Sequence, residues 1–274
     1  RSERSILDFP GTVSVYDFND IESSSSSTWR ELFSDAPGLG SQDFIRSDYA
    51  RDYAKGDAGN INIRGLEGNR ILTQIDGVTI PRFSYGKSTF SVSRSNFIEL
   101  SNLGKLEVLK GSGSALYGSD ALGGVVTFQT IFPEDILEED ENSSFEINNT
   151  YTSFNTGFSS VAKYAGRDDK SGLEGVLVIT KTGAQEAKVK AEQKYINEKQ
   201  SDGFNVSTNI VKNFDDYTRG YLIIENIDKE TKTIVKEDNL PSSSYSTAIE
   251  DRTVKRTMVS ANYEFDNPES DNFV

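Results

Sequence analysis

The sequence lacks the residues on which several kinds of protein chemistry depend. Its 274 residues include no cysteine and no histidine. Without cysteine there are no disulfides or thiolate metal ligands, and without histidine this chain supplies no histidine base, no zinc site of the common kinds and no axial histidine for haem. No acid–base pair accompanies a candidate nucleophile. We therefore predict that the chain is not an enzyme and holds no intrinsic cofactor and no metal.

Basic residues are scarce beside acidic ones. The chain has 29 Lys and Arg against 43 Asp and Glu, which gives a formal net charge of −14. Proteins that bind nucleic acid neutralise phosphates with clustered basic side chains, and no such stripe is present. We therefore predict that nucleic acid is not a partner.

Long apolar segments are also missing. No run approaches the about 20 residues of a transmembrane helix, and the first residues, RSER, are unlike a signal peptide. Hydrophobic residues make up 35% of the chain, which nevertheless contains 16 Phe and 12 Tyr. A membrane β-barrel with a polar lumen and aromatic girdles has this composition, and so does a soluble all-β domain with solvated faces. Composition leaves both open.

The first half of the chain predicts short strands separated by glycine-dense turns. Glycine allows positive φ and close approach of two backbones, so these turns predict a compact, tightly packed body. The loop 111–124 lacks the G-K-[ST] ending of a phosphate-binding loop, and a serine nucleophile in it has no histidine base. The predicted elements are strands at Thr12–Tyr16, on both sides of a turn at Leu66–Asn69, at Leu106–Leu109 and at Val125–Thr130, with a capped helix at Trp29–Phe33 and a helical turn at Ser114–Tyr117.

The second half has a different character. Residues 133–142 are mostly acidic and predict a solvated linker. After the linker come six segments of the 9–11 residues that a tilted membrane strand needs, and Phe204–Phe214 alternates most clearly between apolar residues and Asn or Ser. Short and long connectors follow one another, as in outer-membrane barrels, although a soluble β-sandwich is also consistent with this pattern. The six segments are Phe145–Phe154, Gly157–Ala165, Leu173–Thr182, Phe204–Phe214, Tyr217–Asn226 and Val254–Phe265.

Several short motifs occur together in a fixed order. Ile63-Arg64-Gly65 precedes Asp76-Gly77-Val78, and then Glu107-Val108-Leu109, Leu116-Tyr117-Gly118 and Ala121-Leu122-Gly123-Gly124-Val125 follow. In this order and separation they resemble the plug signature of TonB-dependent outer-membrane receptors. The resemblance is strong over residues 6–135, is general over the later strands, and is greatest to the haem and haemoglobin branch. Its signature glycines are Gly65, Gly77, Gly111, Gly118, Gly123 and Gly124.

The resemblance implies an α+β plug domain (1–132), the acidic linker (133–142) and antiparallel transmembrane β-barrel strands (143–274). A family barrel has about 22 strands, so this chain is expected to be an incomplete receptor. It implies a protein of the bacterial outer membrane, in contact with lipid, with a plug accessible from the periplasm. The TonB energy-transducing complex would be its partner, although no TonB box is identified in the sequence.

The resemblance also implies roles for individual residues. Arg64 and Lys110, with Glu107, are expected to lock the plug to the barrel wall; the family has arginine where Lys110 stands. From the residues themselves, Arg64 and Arg70 either contact an anionic ligand or form salt bridges, and we favour the salt bridges. The carboxylates available for them are Glu67, Glu99, Glu107 and those of the barrel.

The expected cargo is an iron-bearing ligand, haem or a haem protein, with a siderophore or cobalamin as alternatives within the family. A soluble β-rich adhesin or carbohydrate-binding module is the alternative from another class. Without histidine, haem would need a tyrosinate from this chain or a ligand from elsewhere. The loop after the D-G-V strand is either the ligand-binding apex or a loop packed on the wall. The candidate ligand residues are Arg82, Phe83, Tyr85, Lys87, Tyr49 and Tyr53.

Overall fold

A computed structural model of the chain describes residues 12–24, 32–34, 36–41, 61–80, 99–118, 121–153, 157–183, 198–215, 217–236 and 247–265. In this part of the chain none of the helices has the length and apolar character that a membrane crossing needs. The strands are β1 (Thr12–Tyr16), β2 (Leu39–Ser41), β3 (Ile61–Ile63), β4 (Ile71–Ile75), β5 (Val78–Thr79), β6 (Leu103–Lys110), β7 (Gly124–Thr130), β8 (Ser143–Thr152), β9 (Gly157–Asp168), β10 (Leu173–Thr182), β11 (Glu198–Asp215), β12 (Thr218–Lys236) and β13 (Thr247–Phe265). The helices are α1 (Phe18–Ser23), α2 (Ser114–Tyr117) and α3 (Pro133–Ile136), with 3₁₀ turns at Gly68–Arg70 and Leu100–Asn102.

The chain forms two compact units, and it passes from the first to the second between Thr130 and Ile131. Unit 1 comprises Arg1–Thr130, Ala187–Gln200 and Lys232–Asp251. Unit 2 comprises Ile131–Glu186, Ser201–Thr231 and Arg252–Val274.

Unit 1 is built on a mixed five-stranded sheet in the order β1-β6-β7-β4-β5. β6 pairs antiparallel with both β1 and β7, whereas β4 pairs parallel with β7 and antiparallel with β5. A separate pair, β2 and β3, is antiparallel. Parallel and central strands are covered on both faces, and most residues of β4, β6 and β7 are accordingly buried. The fully buried side chains of this sheet include Leu103, Leu106, Val108, Val126 and Phe128.

Two tight turns of unit 1 share one backbone geometry. Asp76 and Gly77, which join β4 to β5, have φ values of 46° and 79°. Arg64 and Gly65, which follow β3, have φ values of 51° and 88°. Positive φ at both central residues is the type I′ arrangement, which suits the twist of paired strands. The I-R-G motif is therefore a strand end plus a turn, rather than a strand as expected.

Unit 2 is a six-stranded sheet in chain order, β8 to β13. The pairs β8–β9, β9–β10 and β10–β11 are antiparallel, with continuous register over ten residues in each. The segment predicted as an acidic linker contributes the helical turn α3, in which Pro133 is buried, and the following Leu137 is 6% exposed.

In the sheet of unit 2, polar side chains are buried on one face and apolar side chains are exposed on the other, which is the opposite of a soluble domain. In β11, Asn205, Ser207 and Asn209 are at most 2% exposed, whereas Phe204 and Ile210 are 45% and 39% exposed. The predicted alternation of Phe204–Phe214 is therefore confirmed, with the polar side inward. Aromatic and aliphatic side chains of the same outward face are exposed on the other strands: Phe145, Ile147, Tyr151, Phe158, Tyr164, Leu177, Ile179, Ile224, Val259, Tyr263 and Phe265.

Most predicted elements of the described residues are present. β1, β10 and α2 have the predicted bounds, and the other predicted strands of unit 2 are present with different ends. The helix predicted at Trp29–Phe33 lies mainly outside the described residues. Helix α1 was not predicted, and it is capped by Asp17, whose carboxylate accepts from the Asp20 amide at 2.9 Å.

Candidate functional site

Arg64 and Lys110 lie near each other at one end of the unit 1 sheet. The turn that carries Arg64 is held by its own amide, which donates to Gly38 O at 2.9 Å, and by the Gly65 amide, which donates to Asn62 Oδ1 at 2.8 Å. Arg64 Nη2 then donates to Thr12 Oγ1 at 3.2 Å, across 52 residues of sequence. Because Thr12 pairs with Lys110 in the sheet, this contact brings the guanidinium to the end of β6.

Lys110 is almost buried, with 5% of its surface exposed. Its Nζ donates to Pro37 O at 2.8 Å. Burial lowers the pKa of the Lys110 ammonium, and the neighbouring Arg64 guanidinium lowers it further. Among the described residues, Arg64 thus contacts a hydroxyl oxygen and Lys110 a carbonyl oxygen, both of unit 1.

Glu107 is not brought to these two cations. It forms an ion pair of 2.7 Å with Lys105, and both side chains are 40% exposed. It is three residues from Lys110 along β6, so the two side chains lie on opposite faces of the strand. A pair this exposed contributes little to stability. Of the three predicted locking residues, the structure therefore groups Arg64 with Lys110 and places Glu107 elsewhere.

The glycine-rich loop between β6 and β7 folds back on itself. The Gly111 amide donates to Gly123 O at 3.2 Å, and the Gly113 amide donates to Ala121 O at 2.9 Å. The Gly123 amide donates to Arg70 O at 2.8 Å, which fixes the loop to the start of β4. These three amides are therefore used within unit 1, where they hold the loop together and attach it to β4.

Two glycines of this loop are required by close packing. A Cβ on Gly124 would overlap the Leu109 carbonyl oxygen and lie 2.5 Å from Ile63 Cδ1. A Cβ on Gly123 would lie 2.8 Å from Leu66 Cβ. The other signature glycines, Gly65, Gly77, Gly111 and Gly118, have positive φ and no neighbour within 4 Å of such a Cβ.

Asp76 is a residue whose role the sequence did not reveal. Its carboxylate accepts from the Thr130 amide at 2.9 Å and from the Thr130 hydroxyl at 3.0 Å. Its own amide donates to Phe128 O at 2.9 Å. The β4–β5 turn is thereby clamped to the last residue of β7, which is also the last residue of unit 1 before the chain enters unit 2.

We predict that Asp76→Ala loosens the end of β7. Thr130 is 2% exposed, and each buried donor left without an acceptor costs about 1–3 kcal/mol. Alanine also tolerates a positive φ poorly, at about 1–2 kcal/mol, whereas asparagine tolerates it and keeps one acceptor oxygen. Amide hydrogen exchange of the 124–130 peptide, followed by mass spectrometry, should accelerate strongly in Asp76→Ala and less in Asp76→Asn.

The control for this measurement is Asp17→Ala. That substitution removes the exposed cap of α1 and should leave exchange in the 124–130 peptide unchanged. Equal exchange in wild type and Asp76→Ala would show that the carboxylate does not hold Thr130.

Unit 2 contains a buried ion pair on the inward face of its sheet. Glu225, 2% exposed, pairs with Arg256, and its Oε1 accepts from Asn205 Nδ2 at 3.4 Å. Asn209 is fully buried, and its Nδ2 donates to Ile131 O at 2.7 Å. A buried polar inward face is typical of a strand wall with a polar interior.

The candidate ligand residues Arg82, Phe83, Tyr85, Lys87, Tyr49 and Tyr53 lie outside the described residues. In the part of the chain that the structure describes, no group of three or more His, Cys, Asp or Glu side chains is placed to hold a metal ion.

Known proteins share both parts of this arrangement. Residues 5–125 match the family description "TonB-dependent Receptor Plug Domain". Transferrin-binding protein A of Haemophilus influenzae is 33% identical over 50% of this chain and 16% of its own length. A hemin receptor of Yersinia pestis is 27% identical over 64% of this chain and 24% of its own length. The chain thus spans about a sixth to a quarter of these relatives.

Solved structures show the same fold. The FrpB iron transporter of Neisseria meningitidis superposes with a TM-score of 0.64 at 17% identity. The match covers 92% of this chain and 38% of the FrpB chain. FpvA of P. aeruginosa superposes with a TM-score of 0.66 at 15% identity, and the match covers 96% of this chain and 33% of the FpvA chain. Together with the plug match, these findings confirm the predicted α+β plug followed by the first strands of an outer-membrane barrel. Residues 5–125 of the chain are therefore a plug domain of the TonB-dependent receptor kind, and they lie in unit 1.

Proposed function

We propose that this chain is the plug and the first wall strands of a receptor that takes up haem or a haem protein across the outer membrane. The observation that carries the proposal is the presence, in one chain, of a plug domain and a sheet whose apolar face is outward. A wide barrel otherwise leaves an aqueous channel, which a plug must obstruct. The chain performs no covalent chemistry in this proposal, and its outward face contacts lipid.

Haem is one of the ligands that the names of the relatives support. They include hemin receptors of two Yersinia species and a heme/hemopexin utilization protein of Haemophilus influenzae, beside transferrin- and lactoferrin-binding proteins. We infer that the plug is displaced by the TonB complex from the periplasm, and that the cargo then passes through the barrel.

The cations Arg64 and Lys110 supply the proposed lock between plug and wall. Each contacts a neutral oxygen within unit 1. A buried cation is stabilised when an anionic partner approaches it, and wall carboxylates of the complete receptor would provide that partner. Lys110 offers a point charge rather than the bidentate fork of arginine.

The proposed ligand residues follow β2 and β5 in the sequence. Phe83 and Tyr85 would pack on the flat macrocycle, and Arg82 and Lys87 would meet its propionates. Because the chain has no histidine, a tyrosinate from Tyr49, Tyr53 or Tyr85 is the candidate axial ligand within these 274 residues.

Growth of an iron-restricted strain tests the uptake proposal. A host without its own haem receptors, expressing the complete receptor, should grow on haem or haemoglobin and should stop growing when TonB is deleted. Growth on a ferric siderophore alone would retain the transporter class but overturn the haem assignment. No growth on any iron source, with the protein present in the outer membrane, would overturn the uptake proposal itself.

Haem titration of the purified receptor tests the ligand residues. The Soret band should shift on binding, and the triple variant Tyr49→Phe, Tyr53→Phe, Tyr85→Phe should weaken binding at least tenfold. Tyr151→Phe is the matched control, because Tyr151 lies on the outward face of β8 and is 65% exposed. An unchanged titration in the triple variant would place the axial ligand outside these loops.

A further inference from the structure

The chain first passes from unit 1 to unit 2 at the peptide bond between Thr130 and Ile131. We infer that Ile131–Leu137, the exit segment, is a fixed anchor that stays attached to the strands of unit 2 while the plug moves. The inference deepens the proposed function, because it rests on plug displacement during uptake. It names the part of the chain that does not move and the residues that hold it.

The first contact of the exit segment is a buried hydrogen bond. Asn209 Nδ2, on the inward face of β11, donates to Ile131 O at 2.7 Å. Ile131 is 1% exposed, and Leu137 at the other end of the segment is 6% exposed. A hydrogen bond shielded from water is stronger than an exposed one, so this contact fixes the first residue of unit 2.

A second set of contacts holds the middle of the exit segment to β12 and β13. Arg219 bridges two carboxylates, with Nη1 3.2 Å from Glu134 Oε1 and Nε 2.7 Å from Glu264 Oε2. The Phe132 ring stands edge-on to the Tyr221 ring, with centroids 5.3 Å apart. Helix α3 closes the segment, since the Phe132 amide donates to Asp135 Oδ2 at 2.7 Å.

The residues that follow the exit segment are also held. The Arg167 guanidinium in β9 donates to the carbonyls of Glu138 and Glu139, at 3.4 Å and 3.2 Å. The Arg167 amide donates to Asn142 O at 2.9 Å. The chain is thus fastened to the strands of unit 2 from Ile131 until β8 begins.

On the other side of the boundary, Thr130 is fastened within unit 1 by the Asp76 carboxylate. Consecutive residues are therefore clamped in different units, Thr130 by Asp76 and Ile131 by Asn209. Because these two residues are consecutive, no flexible linker lies between them. Displacement of the plug must consequently pivot at the 130–131 peptide or break one of the two clamps. In our proposal the additional contacts of Arg219 and Tyr221 keep the exit segment docked, so that the Asp76 clamp is the one that yields.

A cleavable cross-link tests whether the exit segment stays docked. Glu134→Cys with Arg219→Cys, joined by a reducible bismaleimide, replaces the observed ion pair by a covalent tie; the 274 residues contain no other cysteine. We expect cross-linked cells to take up haem at a rate within twofold of uncross-linked cells. The control pair is Asp228→Cys with Lys255→Cys, which joins β12 to β13 where these side chains lie 2.9 Å apart.

Loss of uptake in the cross-linked exit segment, with recovery after reduction, would overturn the anchor, provided that the control pair still transports. If the wild-type receptor takes up no haem at all, the proposed function fails instead. The anchor is then decided by a force measurement that needs no ligand.

In that measurement the receptor is held in a bilayer and pulled from Ser5→Cys. The extension released before the wall strands yield should be about 410–450 Å, the length of chain from residue 5 to residue 130. Asn209→Ala combined with Arg219→Ala should lengthen it by about 25 Å, the length of the exit segment. The control Asn226→Ala, on the exposed face of β12, should not change it. An extension that runs beyond residue 142 in the wild-type chain, or that the double variant leaves unchanged, would overturn the anchor.

Discussion

Replacing Gly124 by valine will prevent the plug from folding, although the substitution adds only three carbon atoms. Gly124 begins β7 and pairs with Lys110 of β6. A Cβ there overlaps the Leu109 carbonyl oxygen and lies 2.5 Å from Ile63 Cδ1. The first obstacle is backbone of the neighbouring strand, so it cannot rotate away as a side chain would.

The expected cost is a large part of the stability of a domain. Overpacking of a core costs about 1–3 kcal/mol, and Gly124 also has a φ of 157°, for which a β-branched residue pays about 1–3 kcal/mol. The sum, about 2–6 kcal/mol, is a large part of the about 5–15 kcal/mol that holds a typical domain together. The pore of a receptor with an unfolded plug would be open.

Sensitivity to a large hydrophilic antibiotic that the outer membrane normally excludes measures this opening. Cells with Gly124→Val should become sensitive, or should contain much less receptor in the outer membrane. Gly40→Ala is the matched control, since its added Cβ meets nothing within 4 Å and its φ is not positive; it should behave as wild type. Wild-type resistance with normal receptor amounts in Gly124→Val would contradict the packing explanation of this glycine.

The sequence could predict the elements of both units because their local patterns are strong. The strand-like segment Leu173–Thr182 predicts β10 with the bounds that the structure shows, because it has the 9–11 residues that a tilted membrane strand needs. The sequence does not predict helix α1, because its six residues contain no apolar stripe, and none of them is buried. The only indication of α1 in the sequence is Asp17 three residues before Asp20, and this spacing is too common to predict a helix by itself.

Strand ends were harder to predict than strands. β11, β12 and β13 extend beyond the predicted segments, into residues where charged side chains interrupt the alternation. Cross-strand neighbours lie there, and they include the ion pairs of Lys181 with Asp202 and of Lys255 with Asp228. Pairing partners far apart in sequence therefore decide where these strands stop, and such partners are not visible in a local pattern.

The contacts of the candidate site depend on topology in the same way. Asp76 holds Thr130 across 54 residues only because β4 and β7 are parallel neighbours. Arg64 reaches Thr12 because β1 occupies the edge beside β6. The family resemblance indicated that Arg64 and Lys110 matter, but it could not supply these partners within the plug. Glu107 was grouped with them by motif, and the strand pleat separates it from Lys110.

Leu177→Arg will keep the receptor out of the membrane in folded form. Leu177 lies in the middle of β10, paired with Tyr164 on one side and Thr208 on the other. It is 37% exposed, whereas its neighbours Val176 and Val178 are 3% and 1% exposed. On a lipid-facing wall an arginine near the middle of the bilayer costs about 2–4 kcal/mol, and less near either interface.

The same substitution distinguishes a membrane wall from a soluble sheet. In water, replacing a partly exposed leucine by arginine changes stability by about 0.5 kcal/mol or less, and it would improve solubility. Leu177→Ala is the control, because it removes the same side chain without adding charge. We expect the protease-resistant, folded fraction in the outer membrane to fall at least tenfold for Leu177→Arg and less than twofold for Leu177→Ala. Equal folded fractions for the two variants would mean that the apolar face of unit 2 does not meet lipid, because an arginine in the hydrocarbon region must lower the free energy of unfolding measurably.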